Sequence, residues 1–293
     1  MLRRADKKRI GVFVTLGASV MWALEPIFAK LSYRSTDYLN TFATRILFSF
    51  LVIAVYLIAT GKRMVVARTY IPKLMYVSLA ATLFADLIYI YALTRVPVIN
   101  AVLIGHMQPV FIIVIGAVLF THERLTKYDY AGIAFMLVAG FLVTTKTIGN
   151  LMTLQFGTIG DLYVLLATFA WSTTAIVART YLRELPAVVI AFYRFLFAGI
   201  IFLTYQLVTN GITVVSIHQI LIGIAIGAGT ILYYEGIRLI KAAQVAALEL
   251  STPFFATFLG FCVLREYITV MQGVGTFCLL GGIYCLARKE DIP

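Results

Sequence analysis

The sequence predicts an all-α membrane protein, ten transmembrane helices arranged as two inverted five-helix repeats. Three observations carry that reading. Of 293 residues, 61% are hydrophobic and only 13% charged, whereas about a quarter of the residues of a soluble chain are charged. Apolar runs of roughly 18 to 23 residues recur along the whole length, each able to cross a hydrocarbon core about 30 Å thick as a helix. The chain also aligns with itself.

The runs fall at 11–32, 38–60, 72–94, 98–120, 128–146, 158–178, 188–209, 217–239, 243–263 and 267–287. The connections are short and leave no room for a nucleotide-binding or catalytic domain outside the membrane. No GxxxxGKS/T phosphate loop is present, which excludes ATP-driven pumping by this chain alone. The first run follows a basic stretch in the manner of a secretory signal, but Glu25 interrupts it and no Ala-x-Ala-like site follows, so it reads as an uncleaved first helix. Cys262, Cys278 and Cys285 lie within apolar runs without metal-ligand spacing and read as packing residues. No cofactor or metal is called for.

A net charge of +11 does not point to nucleic acid, because a reader of nucleic acid needs basic surface clustered on a soluble module. Here Arg3, Arg4, Lys7, Lys8, Arg9, Lys62, Arg63, Arg68, Lys73, Arg124, Lys127, Arg179, Arg183, Arg238, Lys241, Arg288 and Lys289 load one set of connections. Only Lys30, Arg34, Arg95, Lys146 and Arg265 fall on the other set. The loaded side, with both termini, is predicted to be cytoplasmic.

Sliding the chain by 149 residues places Ala18-Ser-Val-Met-Trp22 over Ala167-Thr-Phe-Ala-Trp171. The same shift carries Lys30 onto Arg179, Arg34 onto Arg183, Arg45 onto Arg194, Phe48 onto Phe197 and Tyr56 onto Tyr205. An offset of 144 lays Tyr89 on Tyr233, Asn100 on Gln244 and Pro109 on Pro253, and one residue less brings Glu123 onto Glu266 and Gly132 onto Gly275. The halves are therefore 1–149 and 150–293. Each has five spans, an odd number, so the second enters the membrane in the opposite sense, as in the inverted repeats of secondary transporters.

These features give the chain a resemblance to the drug/metabolite transporter superfamily, specifically its ten-helix EamA-type branch. The Trp22 and Trp171 segments, Arg45 and Arg194 early in each second helix, and the proline-bearing fourth helices carry it. So do the hairpins Phe120-Thr-His-Glu-Arg-Leu-Thr126 and Val263-Leu-Arg-Glu-Tyr-Ile-Thr269, each followed by a glycine-rich helix. The resemblance implies transport of a metabolite, amino acid or drug-like compound across the plasma (inner) membrane, commonly export, without ATP hydrolysis.

Charges inside a bilayer are functional candidates by default. The spans hold Glu25 with Pro26, Arg45, Asp86, His106 with Gln108 and Pro109, Arg194, Glu235, and Glu249 with Thr252 and Pro253. Rise per residue places Glu25, Arg45, Asp86 and His106 in the outer half and Arg194, Glu235 and Glu249 in the inner half. Two clusters are expected, each with one arginine and two carboxylates. Arg45 and Arg194 either form structural or gating ion pairs or leave carboxylates free for a substrate amine or a proton. Four carboxylates against two arginines favour a cationic or zwitterionic substrate over a phosphorylated one. Tyr89 and Tyr233 offer aromatic walls or interfacial anchors. His106 reads as a protonation switch or a hydrogen-bonded structural group, and the prolines as kinks serving site or packing. Glu123 and Glu266 are expected to cap or brace hairpins.

Secondary transport of an amino acid or amphipathic amine, by export, is the leading function, with uptake of an organic cation or cofactor-like metabolite as the alternative. A channel or non-transporting receptor is the competing class. An intramembrane aspartyl protease is disfavoured, because Asp129 and Asp161 are placed on opposite faces and cannot share a water. The expected partners are a small-molecule substrate and the bilayer, as monomer or homodimer. Proton coupling is allowed but not required.

Overall fold

The computed structural model describes residues 4–62, 64–119, 127–155, 157–240, 245, 248–249 and 251–287. The hairpin with Glu123, the side chain of Asp129, and Gln244 lie outside the described residues. Every regular element described is a helix.

The first half holds α1 (Arg4–Ser32), α2 (Tyr38–Ala59) and a composite third helix. That third helix runs from a short turn at Arg68–Tyr70 through α3 (Ile71–Val77), a π-helical stretch (Ser78–Asp86) and α4 (Leu87–Ala92). Then follow α5 (Val98–Gly105), α6 (Gln108–Leu119) and α7 (Lys127–Thr145). A short α8 (Ile148–Met152) leads to α9 (Ile159–Tyr181), α10 (Ala187–Thr209), α11 (Ile217–Leu239), α12 (Ser251–Leu264) and α13 (Val270–Ala287). Among the described residues seven stretches are long and apolar enough to cross a membrane, and three shorter apolar helices fall at Tyr130–Thr145, Ser251–Leu264 and Val270–Cys285. The protein is a multi-pass helical membrane protein.

The ends follow local chemistry. Asp37 caps α2 by accepting from the Asn40 N–H at 2.8 Å, and capping boxes open α9 (Thr158, Asp161) and α11 (Ser216, Gln219). Gly61 and Gly211 take positive φ just beyond α2 and α10, where a left-handed residue stops a helix without strain.

The predicted fourth span, 98–120, is not one helix. It breaks at His106 and Met107, where Pro109 has no N–H to give to the Gly105 carbonyl. The third span differs too: its nine-residue π stretch widens the turn ahead of Asp86. Neither departure follows from hydropathy, which both segments satisfy.

Packing interleaves the halves. α1 lies along α11 and α12, whereas α9 lies along the π stretch, α4, α5 and α6. α2 is wedged between α10 and α11, and α7 pairs with α13. Close approach of α2 and α11 depends on Gly223, where a Cβ would lie 2.4 Å from the Phe48 Cβ. Phe13, Val55, Ile58, Phe141, Phe169, Ile200, Phe258 and Phe277 face outward, as expected where lipid rather than water is the solvent. Arg45, Asp86, Asn100 and Gln272 are buried.

Candidate functional site

α2 points Arg45 inward beside Glu25 of α1. Its Nε donates to Glu25 Oε1 at 2.7 Å and its Nη1 to Asp86 Oδ2 at 3.0 Å. From the second half, α10 sends Arg194 to the same carboxylate, with Nη2 at 2.8 Å from Oδ1 and 2.7 Å from Oδ2. Trp171 of α9 donates its indole N–H to Asp86 Oδ1 at 2.8 Å. Asp86, 1% exposed, is thus gripped by three side chains from three helices.

The π stretch explains the aim of Asp86. It sets Ser78, Thr82 and Asp86 in a column against α10: Ser78 Oγ donates to the Arg194 carbonyl at 2.7 Å, and Thr82 Oγ1 accepts from Arg194 Nε at 2.8 Å. π-helical turns recur at functional sites because they re-aim side chains that an α-helix would place elsewhere.

The expected pair of outer and inner clusters is not what forms. Both arginines converge on one carboxylate, and with Glu25 they make a single centre of two acids and two bases, formally neutral when all four ionise. Depth counted along straight helices overlooked the π stretch and the long reach of a guanidinium. The expected grouping of Glu235 and Glu249 with Arg194 does not form either. Glu235 is drawn to the end of α11, accepting from Tyr56 Oη at 2.6 Å and Arg238 Nη1 at 3.0 Å, with Lys62 Nζ at 3.7 Å.

Glu249 stands apart. Among the described residues it has no hydrogen-bond or ion-pair partner, and it lies within electrostatic range of Tyr233. Tyr233 packs on Trp22 with ring centroids 5.0 Å apart and on Tyr234 at 5.7 Å. Thr252, one turn beyond Glu249, is buried and its Oγ1 has no hydrogen-bond partner among the described residues. Ser19 of α1 reaches the Leu248 carbonyl at 3.4 Å, tying this segment to the first half.

Tyr89 is buried against Trp171 at 5.3 Å between centroids. His106 ends α5, and because a carbonyl can only accept, its Nδ1 donates to the Val102 carbonyl at 2.8 Å. The Gln108 carbonyl accepts from Ser172 Oγ at 3.2 Å. Pro26 lies inside α1 and Pro253 inside α12, each buried. Asp161 caps α9 and accepts from Asn100 Nδ2 at 2.8 Å, and Asn100 in turn accepts from Gln272 Nε2 at 2.6 Å. Glu266 braces two first-half helices, accepting from Lys30 Nζ and from the Val98 N–H, both at 2.7 Å.

Sequence reasoning missed Thr82 and Ser78, and used Trp22 and Trp171 only as repeat markers. The spacing of Ser78, Thr82 and Asp86 by four, inside an apolar run, was the available signal.

Fold and site together define a multi-pass α-helical membrane protein whose two halves share a buried, charge-balanced centre. Residues 9–145 and 158–288 each match the model of the EamA-like transporter family; the chain belongs to that family. It is similar to an uncharacterized transporter of Methanothermobacter thermautotrophicus, 26% identical over 218 residues that cover 73% of this chain and 63% of that protein. It is also similar to an uncharacterized transporter of Synechocystis, 24% identical over 206 residues, 65% of this chain and 58% of that protein. The chain thus spans about three fifths of these relatives' lengths. A solved crystal structure superposes with a TM-score of 0.66, covering 95% of this chain and 99% of that one at 17% identity, a likeness of fold.

Proposed function

We propose that the protein is a secondary transporter that exports a small metabolite, an amino acid or amphipathic amine, across the plasma (inner) membrane by alternating access. In this reading ten spans form two inverted five-helix halves with both termini cytoplasmic, and rocking of one half against the other exposes a shared site to each side in turn. The observation that carries it is the meeting of Arg194 from the second half with Asp86 from the first, at 2.7 and 2.8 Å. A partly buried ion pair across the repeat interface can break and re-form as the halves move, whereas one within a half cannot sense that motion. Glu25 and Arg45 share the same network, and Glu249 remains for a positively charged group or a proton.

Counterflow in proteoliposomes tests this. Vesicles loaded with unlabelled amino acids and amines should accumulate a labelled compound only when its unlabelled partner is inside. Equilibration without a matching internal compound would point to a channel, and binding without flux to a receptor.

A further inference from the structure

We infer that Glu249, Thr252, Tyr233 and Trp22 form a binding site for the ammonium group of an organic amine without a carboxylate of its own. The inference rests on the transporter reading and narrows its substrate class.

The repeat itself supplies the argument. The 149-residue offset that matches Trp22 to Trp171, and the 144-residue offset that matches Tyr233 to Tyr89, carry Glu249 onto Gly105, Thr252 onto Gln108 and Thr230 onto Asp86. In the first-half version a tryptophan from the other half packs on the tyrosine at 5.3 Å between centroids and donates its indole N–H to Asp86. A Cβ placed on Gly105 would sit 3.9 Å from that Trp171 ring. In the second-half version Trp22 packs on Tyr233 at 5.0 Å, and the position equivalent to Gly105 bears Glu249. By this pseudo-symmetry we assign Glu249 to the Trp22–Tyr233 pair, and it lies within electrostatic range of Tyr233. The carboxylate has moved from the third helix of the half to the fourth, and the third helix carries Thr230 instead.

The two versions differ in how the acid is satisfied. Asp86 has two arginines; Glu249 has none among the described residues. Beside it the buried Thr252 Oγ1 lacks a partner, and Pro253 has no N–H to offer the Glu249 carbonyl. Among the described residues a carboxylate and a hydroxyl oxygen are thus acceptors without a donor, which is what an ammonium group with its N–H donors supplies. The faces of Trp22 and Tyr233 add attraction for a cation. Among the described residues a substrate carboxylate would find no free base here, since Arg45 and Arg194 are held by Glu25 and Asp86. A zwitterion would leave its own charge unpaired in a buried site.

The test compares tyramine with tyrosine, which differ by the carboxylate, using the full chain in proteoliposomes and in detergent. Labelled tyramine should show saturable counterflow at least ten times that of tyrosine. Glu249→Gln should lose at least tenfold of it, Thr252→Val should weaken it several-fold, and Glu249→Asp should retain part. Tyramine should also quench tryptophan fluorescence in the wild type and in Glu249→Asp but not in Trp22→Phe. Variants are compared only where gel filtration and melting match the wild type, and Thr252→Val keeps the test open if Glu249→Gln fails to fold. Tyrosine exchange equal to that of tyramine, or tyramine exchange indifferent to Glu249→Gln and Thr252→Val, overturns the inference and leaves the transporter reading standing. Saturable quenching that depends on Glu249, with no counterflow of any compound, upholds the site and overturns the transporter reading.

Discussion

Arg45 and Arg194, equivalent residues of the two halves, hold the same carboxylate, Asp86, from opposite sides of the repeat interface, at 3.0 Å and at 2.7 to 2.8 Å. A sequence-symmetric pair of bases has thus become an asymmetric site, because only the first half places an acid at this position of its third helix. Thr230 occupies the equivalent place in the second half.

Asp86 should be the most destabilising single position in the centre. Removing one partner of a buried pair leaves uncompensated charge and costs about 3–5 kcal/mol. Asp86→Asn is expected to lower the melting temperature in detergent steeply, and adding Arg194→Gln should recover part of the loss. A double variant as unstable as the sum of the singles would refute coupling between them.

The π stretch should be intolerant of changes in length. Deleting Ala80 shifts Ser78 by one position around the π-helical turn relative to Asp86, so the column cannot hold both the Arg194 carbonyl and its guanidinium. Lowered melting and lost counterflow are the expected outcome; wild-type values for both would show that the π geometry is dispensable.

Gly223 and Gly273 make a matched comparison. A Cβ at Gly223 meets Phe48 Cβ at 2.4 Å, Arg45 O at 3.0 Å and Ser49 N at 3.0 Å, whereas a Cβ at Gly273 meets nothing within 4 Å. Gly223→Ala should destabilise by about 1–3 kcal/mol through overpacking of α2 against α11. Gly273→Ala should be neutral or slightly stabilising through helix propensity. Thermal melting of both separates the cases, and equal effects would discount the close approach.

Glu266 should matter more than its ion-pair partner. Its two oxygens serve Lys30 and the Val98 N–H separately. Lys30→Met removes one partly exposed pair, at most about 1 kcal/mol. Glu266→Gln weakens both contacts, and a charge-assisted bond contributes about 1.5–3 kcal/mol. Melting with rising salt checks this: the Lys30 increment should shrink as screening grows. A Lys30→Met loss that exceeds that of Glu266→Gln would invert the assignment.

The helical class, the membrane setting and the internal repetition were legible because each rests on a property summed over many residues. The long apolar runs admit only helices whose backbone groups pair internally, and the matched tryptophans and arginines carry the repeat. Individual charges could be named for the same reason, since Glu25, Arg45, Asp86, Arg194 and Glu249 interrupt apolar runs. What joins them could not be read that way. The four-residue spacing of Ser78, Thr82 and Asp86 marks them as a set, but hydropathy does not distinguish a π turn from an α turn and so does not show the turn that aims them at Arg194, and depth along an ideal helix separates two arginines that share one acid.

The sequence by itself determined what the protein is made of: apolar helices, two related halves, and a few costly charges. Only the tertiary structure decided which charges neutralise one another. Pairing depends on side-chain reach and helix register across the interface between halves, where an offset of one residue turns a side chain by about 100°. That interface holds Asp86 between two arginines and leaves Glu249 beside Tyr233, without an arginine of its own among the described residues.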